Sequence, residues 1–369
     1  MTNNTKHVHE PRIQIVKRSG IPLWQSVAVR AIAIILALIV CAAFIVAITG
    51  CGPFELVGRM FSGNFGTKRK VWTMLMNLAI LQCISLAVTP AFKMKFWNLG
   101  AEGQTLIGAL VSVILMLRLG GTLPQIPTLI IIALAAMAGG LIWGIIPAFF
   151  KAQFGTNETL FTLMMNYVAM QLVLFFIPFI DKSGSNVIRS IKSPWGAFWF
   201  PELFGSRYGL VVVISVLLTV FMFVYLKFSK QGYEISVVGE SENTARYIGI
   251  SVKKVILRTM AISGMLCGLA GFIFAVGKDA TINVSTVGGL GFTAVMVSWL
   301  AKFNPIIMTL ASFLIVFLEN GSVQVIEDLK LGNSSIGDIL TGITLFFIIG
   351  CEFFVQYKIH LRSAKKEGK

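Results

Sequence analysis

Ten stretches of this sequence are apolar for long enough to be read as bilayer spans, with polar or charged segments between them. A hydrocarbon layer of about 30 Å takes roughly 20 apolar residues in a helix, and a helix is favoured there because it satisfies its own backbone groups. On that ruler the spans fall at approximately 27–49, 71–92, 97–117, 126–150, 158–180, 208–227, 255–277, 286–301, 305–325 and 335–356. The eighth is short and reads as tilted, broken or re-entrant. A chain that is 56% hydrophobic and 13% charged, with a mean hydropathy of +0.82, is excluded from the soluble globular class. The predicted fold class is therefore an all-α integral membrane protein of about ten transmembrane helices.

The net charge of +15 does not point to nucleic acid, because the basic residues gather at the ends of the apolar runs. With the N-terminus inside, the cytoplasmic loops hold the larger share of Lys and Arg, which predicts both termini in the cytoplasm; Lys68, Arg69 and Lys70 run against that pattern. The domain reading is a cytoplasmic N-terminal segment at 1–26, a transmembrane domain at 27–356 with a cytoplasmic loop at 228–254, and a cytoplasmic basic tail at 357–369. The first apolar run is too long for a signal-peptide core. Five scattered cysteines show no C-x-x-C spacing, so neither a disulfide framework nor a metal site is expected. All three histidines lie outside the spans, which leaves intramembrane acid–base or metal chemistry few candidates, and no catalytic residue is assigned.

Polar residues inside the spans carry more information. At about 100° per residue, Asn98, Glu102, Thr105, Ala109 and Ser112 fall within an arc of roughly 80° on an otherwise apolar rod. A carboxylate within a bilayer costs on the order of 2.5 to 3.5 kcal/mol, so it faces a water-filled path or a partner helix. Two readings stand: the stripe lines a solute path, or Glu102 sits just outside the bilayer at a helix N-terminus, where the dipole favours an anion. Glu158, Thr162 and Asn166 recur every four residues and make a second stripe. Packed beside the first, it gives a conduit suited to a neutral, hydroxyl-rich solute; the alternative is a helix pair joined through Asn and Thr, at about 0.6 kcal/mol per contact.

Other motifs read structurally. Gly264, Gly268 and Gly271, with Gly140 and Gly144, have the spacing that lets helices approach closely. Glu319 and Asn320 are placed either on the path or at the outer interface. The cluster Ser193-Pro-Trp-Gly-Ala-Phe-Trp-Phe-Pro201 reads as an interfacial aromatic belt or a docking surface for an extracellular partner. Gly289-Leu-Gly291-Phe-Thr-Ala294 fits G-x-G-x-x-A without the surrounding βαβ unit, and Gly271 to Asp279 fails the spacing of a phosphate loop. In the polar inner loop, Ser241 is placed to cap a short helix and Gly249 to end it.

Several blocks together resemble a known family. Asn98-Leu-Gly-Ala-Glu-Gly-Gln104 with Leu-Ile-Gly-Ala109, Asn157-Glu158 with Thr162-Leu-Met and Asn166-Tyr167, Ala245-Arg-Tyr-Ile-Gly-Ile250, Gly291-Phe-Thr and Asn304-Pro305 are similar to the permeases of ATP-binding-cassette importers for nucleosides and simple sugars, within the wider branched-chain amino acid and ribose permease superfamily. The likeness runs from about Phe96 to the C-terminus. The chain departs from it at Ser241-Glu242, where the family usually has Asn-Pro, and at Trp97 and Leu99, where it has Phe and Ile.

The resemblance implies a substrate-path role for the block from Asn98 through Glu102 to Gln104; the two stripes add Thr105, Glu158, Thr162 and Asn166 to the candidate path, with Tyr167 beside Asn166. It implies ATPase coupling for Gly239, Ser241, Ala245, Arg246, Tyr247, Gly249 and Ile250. It implies a second homologous permease, cytoplasmic ATPase subunits that hold the ATP and Mg, and an extracytoplasmic substrate-binding lipoprotein, with the complex in the cell membrane. No cofactor is expected in this chain, and no metal site. The competing expectation is an ion-gradient-driven transporter using Glu102 or Glu158.

Overall fold

The computed structural model describes residues 13–17, 22–49, 52–180, 188, 190–329 and 357–361, together with 339–340, 342–343, 346–347, 350–351 and 353. Its helices are α1 (Leu23–Thr49), α2 (Pro53–Phe65), α3 (Lys68–Lys93), α4 (Ala101–Leu119), α5 (Gln125–Phe154), α6 (Glu158–Ile180), α7 (Gly209–Phe228), α8 (Lys230–Glu240), α9 (Glu242–Tyr247), α10 (Val252–Phe272), α11 (Leu290–Leu300) and α12 (Pro305–Asp328). A π-helical segment, Ile273–Asp279, extends α10. Among the described residues seven helices are long and apolar enough to cross a membrane: α3 to α7, α10 with its extension, and α12. The protein is a multi-pass helical membrane protein.

The eighth predicted span is only the 11-residue α11, about 16 Å long, too short to cross the hydrocarbon core. Its preceding residues, 280–289, are spent on turns ending at Gly288 and Gly289, both at positive φ. The N-terminal segment and basic tail each hold a strand: β1 (Ile13–Lys17) pairs antiparallel with β2 (Tyr357–Leu361), in the register Ile13 to Leu361 and Lys17 to Tyr357. The predicted tenth span, 335–356, falls largely outside the described residues, as do His7 and His9.

The chain divides into two compact units, residues 1–60 with 322–369, and residues 61–321. In the first, α1 carries exposed Ile32, Ile35 and Ile39, the β ribbon joins the two terminal segments, and Arg59 pairs with Glu55 at 2.6 Å. The second holds every motif of the resemblance from Asn98 to Asn304-Pro305. Its centre is α10, which packs on α5, α4 and α3, while α4 also packs on α6 and α3 on α7 and α11.

Glycine sets those distances. A Cβ on Gly140 would lie 2.3 Å from the Gly264 carbonyl oxygen, and one on Gly108 would lie 2.5 Å from that of Gly268. The backbones of α5, α10 and α4 are therefore in contact along one seam, as the four-residue glycine spacing predicts. The same crowding makes larger residues at these positions incompatible with the packing.

Candidate functional site

The turn between α3 and α4 places Asn98 in the protein interior, fully buried. Its Oδ1 accepts from Gly100 N at 3.1 Å and from Gln104 Nε2 at 3.2 Å; its Nδ2 donates to Gln104 Oε1 and to Ser263 Oγ, each at 3.3 Å. Two amides thus pair with each other and tie the entry of α4 to α10. Buried amides carry a high cost when unpaired, so this reciprocal pair fixes both side chains.

Glu102, in the first turn of α4, is 3% exposed. Its Oε1 accepts from Gly289 N and its Oε2 from Gly291 N, both at 2.8 Å. Those donors open α11, where four backbone N–H groups lack helical partners and the dipole is positive, so the carboxylate caps a second helix in addition to standing at the start of its own. Gly289 reaches this geometry at φ +82°, and a Cβ on Gly291 would lie 2.6 Å from Glu102 N. The G-x-G match in the sequence has this structural meaning.

The second stripe docks onto the same turn. Asn166 Oδ1 accepts from Gly103 N and its Nδ2 donates to Leu99 O, both at 2.8 Å. Thr162 Oγ1 accepts from Leu99 N at 3.2 Å and donates to Glu158 O at 2.8 Å. Thr105 is fully buried where α10 crosses α4, so closely that a Cβ on Gly271 would lie 2.1 Å from the Thr105 carbonyl oxygen. Glu158 instead forms an ion pair with Lys151 at 2.7 Å, and Tyr167 stands 61% exposed on α6. Leu160, Met164 and Val168 are exposed on that helix too, beside an open apolar recess that includes Asn157.

The structure therefore gathers Asn98, Glu102, Gln104, Thr162 and Asn166 around the N-terminal turn of α4, and leaves Glu158 and Tyr167 away from that cluster's side-chain bonds. Sequence reasoning missed Ser263, Gly289, Gly291 and Lys151, the partners of the polar residues it found. A buried carboxylate requires donors, and a G-x-G at a helix start supplies them. That was the available signal. Asn320 Oδ1 accepts from Asn77 Nδ2 at 3.0 Å, joining α12 to α3, while Glu319 is exposed.

At the other end of α10, α8 and α9 form a compact cap. Ser229 Oγ accepts from Gly232 N at 3.0 Å to start α8, and Ser241 Oγ accepts from Thr244 N at 3.2 Å to start α9. Gly249, at φ +85°, turns the chain back, and Ile250 N donates to Ala245 O at 2.9 Å. Ile235, Val238 and Ala245 are buried with Ala91, Phe96 and Val255 in one apolar cluster. A Cβ on Gly239 would lie 2.2 Å from Lys93 O, so α8 rests directly on the end of α3. Arg258 pairs with Glu234 at 2.8 Å. Against this rooted base, Tyr247 is 92% exposed and Arg246 is held only by an exposed pair with Glu242 at 3.3 Å. The cap is thus a rigid projection with an aromatic tip.

The family model described as branched-chain amino acid transport system / permease component matches residues 71–349. The chain belongs to that family. The match covers the α4 cluster and the α8–α9 cap together. The chain is also 26% identical over 363 residues to the glucose ABC transporter permease protein of Haloferax volcanii, covering 94% of this chain and 93% of that one. It is 30% identical over 324 residues to a guanosine ABC transporter permease protein of Bacillus subtilis, covering 86% and 91%. It is 27% identical over 337 residues to a nucleoside ABC transporter permease protein of Lactococcus lactis subsp. cremoris, covering 87% and 90%. The chain is thus a multi-pass cell-membrane permease of the ATP-binding-cassette class, a transport subunit and not an enzyme.

Proposed function

We propose that this permease forms the import path for a nucleoside or simple sugar, together with a second homologous permease, and that α8 and α9 transmit the movement of cytoplasmic ATPase subunits. The observation that carries this reading is the cap, rooted by buried Ala245 and Ile235 and presenting Tyr247 at its tip. A mobile partner drives a helix bundle only through a rigid element that fits its surface, and a central exposed aromatic is the kind of anchor that dominates such contacts. ATP and Mg belong to that partner, and a substrate-binding lipoprotein delivers the solute from outside.

The path is assigned to the α4–α6 side, along the exposed face of α6 with Tyr167 and Asn157, next to the polar turn of Asn98, Glu102, Gln104, Thr105, Thr162 and Asn166. Glu158 stands at the cytoplasmic end of that face, on the α5–α6 turn whose Gln153 accepts from Lys253. Cytoplasmic termini complete the topology, with α11 as a re-entrant segment; the pairing of β1 with β2 supports placing both ends on one side. Ion-gradient coupling through Glu102 or Glu158 is disfavoured, because the first already accepts two backbone N–H groups and the second is paired with Lys151.

The substrate class is tested by assembling the permease with its ATPase and binding protein in proteoliposomes and measuring uptake of labelled nucleosides and monosaccharides in competition. One of the two classes should be imported and should displace only its own kind. Import of neither, with a charged amino acid taken up instead, would overturn the assignment.

A further inference from the structure

At the end of α10 remote from α8 and α9, the loop before α7 folds over the π-helical segment and bounds a cavity of about 350 Å³. With its extension α10 has 28 residues, about 40 Å of helix, so this cavity and the cap lie at opposite membrane surfaces. Backbone and indole bonds hold its walls: Ile191 N donates to Ala280 O at 2.7 Å, and Trp199 Nε1 to Ile191 O at 2.9 Å. Trp199 and Phe200 are buried, and a Cβ on Gly277 would lie 2.7 Å from the Phe200 ring. This is a built recess.

Its charge is one-sided. Lys192, Arg207 and Lys278 line it against one carboxylate, Asp279, and none of these four enters an ion pair among the described residues. Arg207 lies over the Phe198 ring at 4.9 Å and the Tyr208 ring at 4.4 Å and donates to the Tyr208 hydroxyl, while Lys278 lies over Phe274 at 5.3 Å; these contacts orient each cation without neutralising it. An adjoining cavity of about 460 Å³ shares Phe198 and Arg207 and adds Lys68 and Arg69 against Glu202. Two cations of the run that defied the charge rule, Lys68 and Arg69, therefore extend this basic, aromatic basin. Aromatic rings and cations at the ends of membrane helices mark the level of lipid headgroups, where each cation attracts an anionic lipid.

We propose that this recess binds a phosphate ester anion, supplied by the headgroup of an anionic phospholipid, with Lys192, Arg207 and Lys278 as donors. The test uses the full chain in neutral detergent, titrated with phosphatidylglycerol or phosphatidylcholine and read by native mass spectrometry. Phosphatidylglycerol should be retained in preference. Each cation removed should weaken that binding about fivefold, so Lys192→Gln with Lys278→Gln should weaken it roughly 30-fold. Lys192→Arg with Lys278→Arg should retain binding, which separates charge from misfolding, and Lys302→Gln, outside the recess, should change nothing. Displacement of the lipid by inorganic phosphate would uphold the site with a free anion as its source. Equal retention of both lipids, or binding untouched by the double Gln variant, would overturn it.

Discussion

Glu102 binds two backbone N–H groups with its two oxygens, and a glutamine offers only one acceptor together with an NH₂ that faces a donor. We expect Glu102→Gln to cost on the order of 2 kcal/mol of stability, seen as a lower unfolding temperature in detergent, because charge-assisted bonds at a helix N-terminus are lost. An unchanged unfolding temperature with reduced uptake would move the carboxylate's role from capping to the path. Asn166 makes one bond in each direction, to Leu99 and Gly103. Asn166→Ala and Asn166→Leu should therefore lose similar stability, about 1 to 2 kcal/mol on the scale of intramembrane contacts. If the α6 face is the path, Leu should reduce uptake further than Ala, since it fills space that Ala leaves to water. At this scale the sequence showed which residues were polar but not what they bond, because Glu102 and Gly289 are 187 residues apart. The reading of Glu102 as a helix-terminus anion was half of the answer; the other terminus belongs to α11.

Local elements were more legible. Ser241 as a cap and Gly249 as a stop are decided within ten residues, and α9 follows that reading, with Ser241 Oγ on Thr244 N and Gly249 left-handed. Removing the cap by Ser241→Ala should cost about 1 kcal/mol of local stability, measurable as faster hydrogen exchange across α9. Tyr247→Ala should leave the fold intact, since the ring is 92% exposed. We expect it to detach the ATPase or to let it hydrolyse ATP without uptake, while Arg246→Ala gives a milder, salt-dependent weakening. Normal copurification and normal coupling in Tyr247→Ala would remove the docking role from the cap. The glycine spacing on α5 and α10 was legible too, because close helix approach requires small residues at every fourth position. The break into a π-helical segment and the shortness of α11 were not, since both depend on where neighbouring helices leave room.

For the whole molecule, hydropathy located the long spans of residues 61–321, because length and apolarity are the same constraint for every membrane helix. It passed over β1 and β2, which are five residues each, pair across more than 300 residues and leave no local signal. It also merged the 13-residue α2 into a loop. On the proposed function, this permease works through ATP hydrolysed by a partner that engages α8 and α9. The measurement that tests it is nucleoside or sugar uptake into proteoliposomes holding the permease, its ATPase and its binding protein. ATP is supplied on the α8–α9 side, or is omitted while a proton or sodium gradient is imposed. Uptake should require ATP and should be lost in Tyr247→Ala. Uptake driven by either ion gradient without ATP would contradict the account.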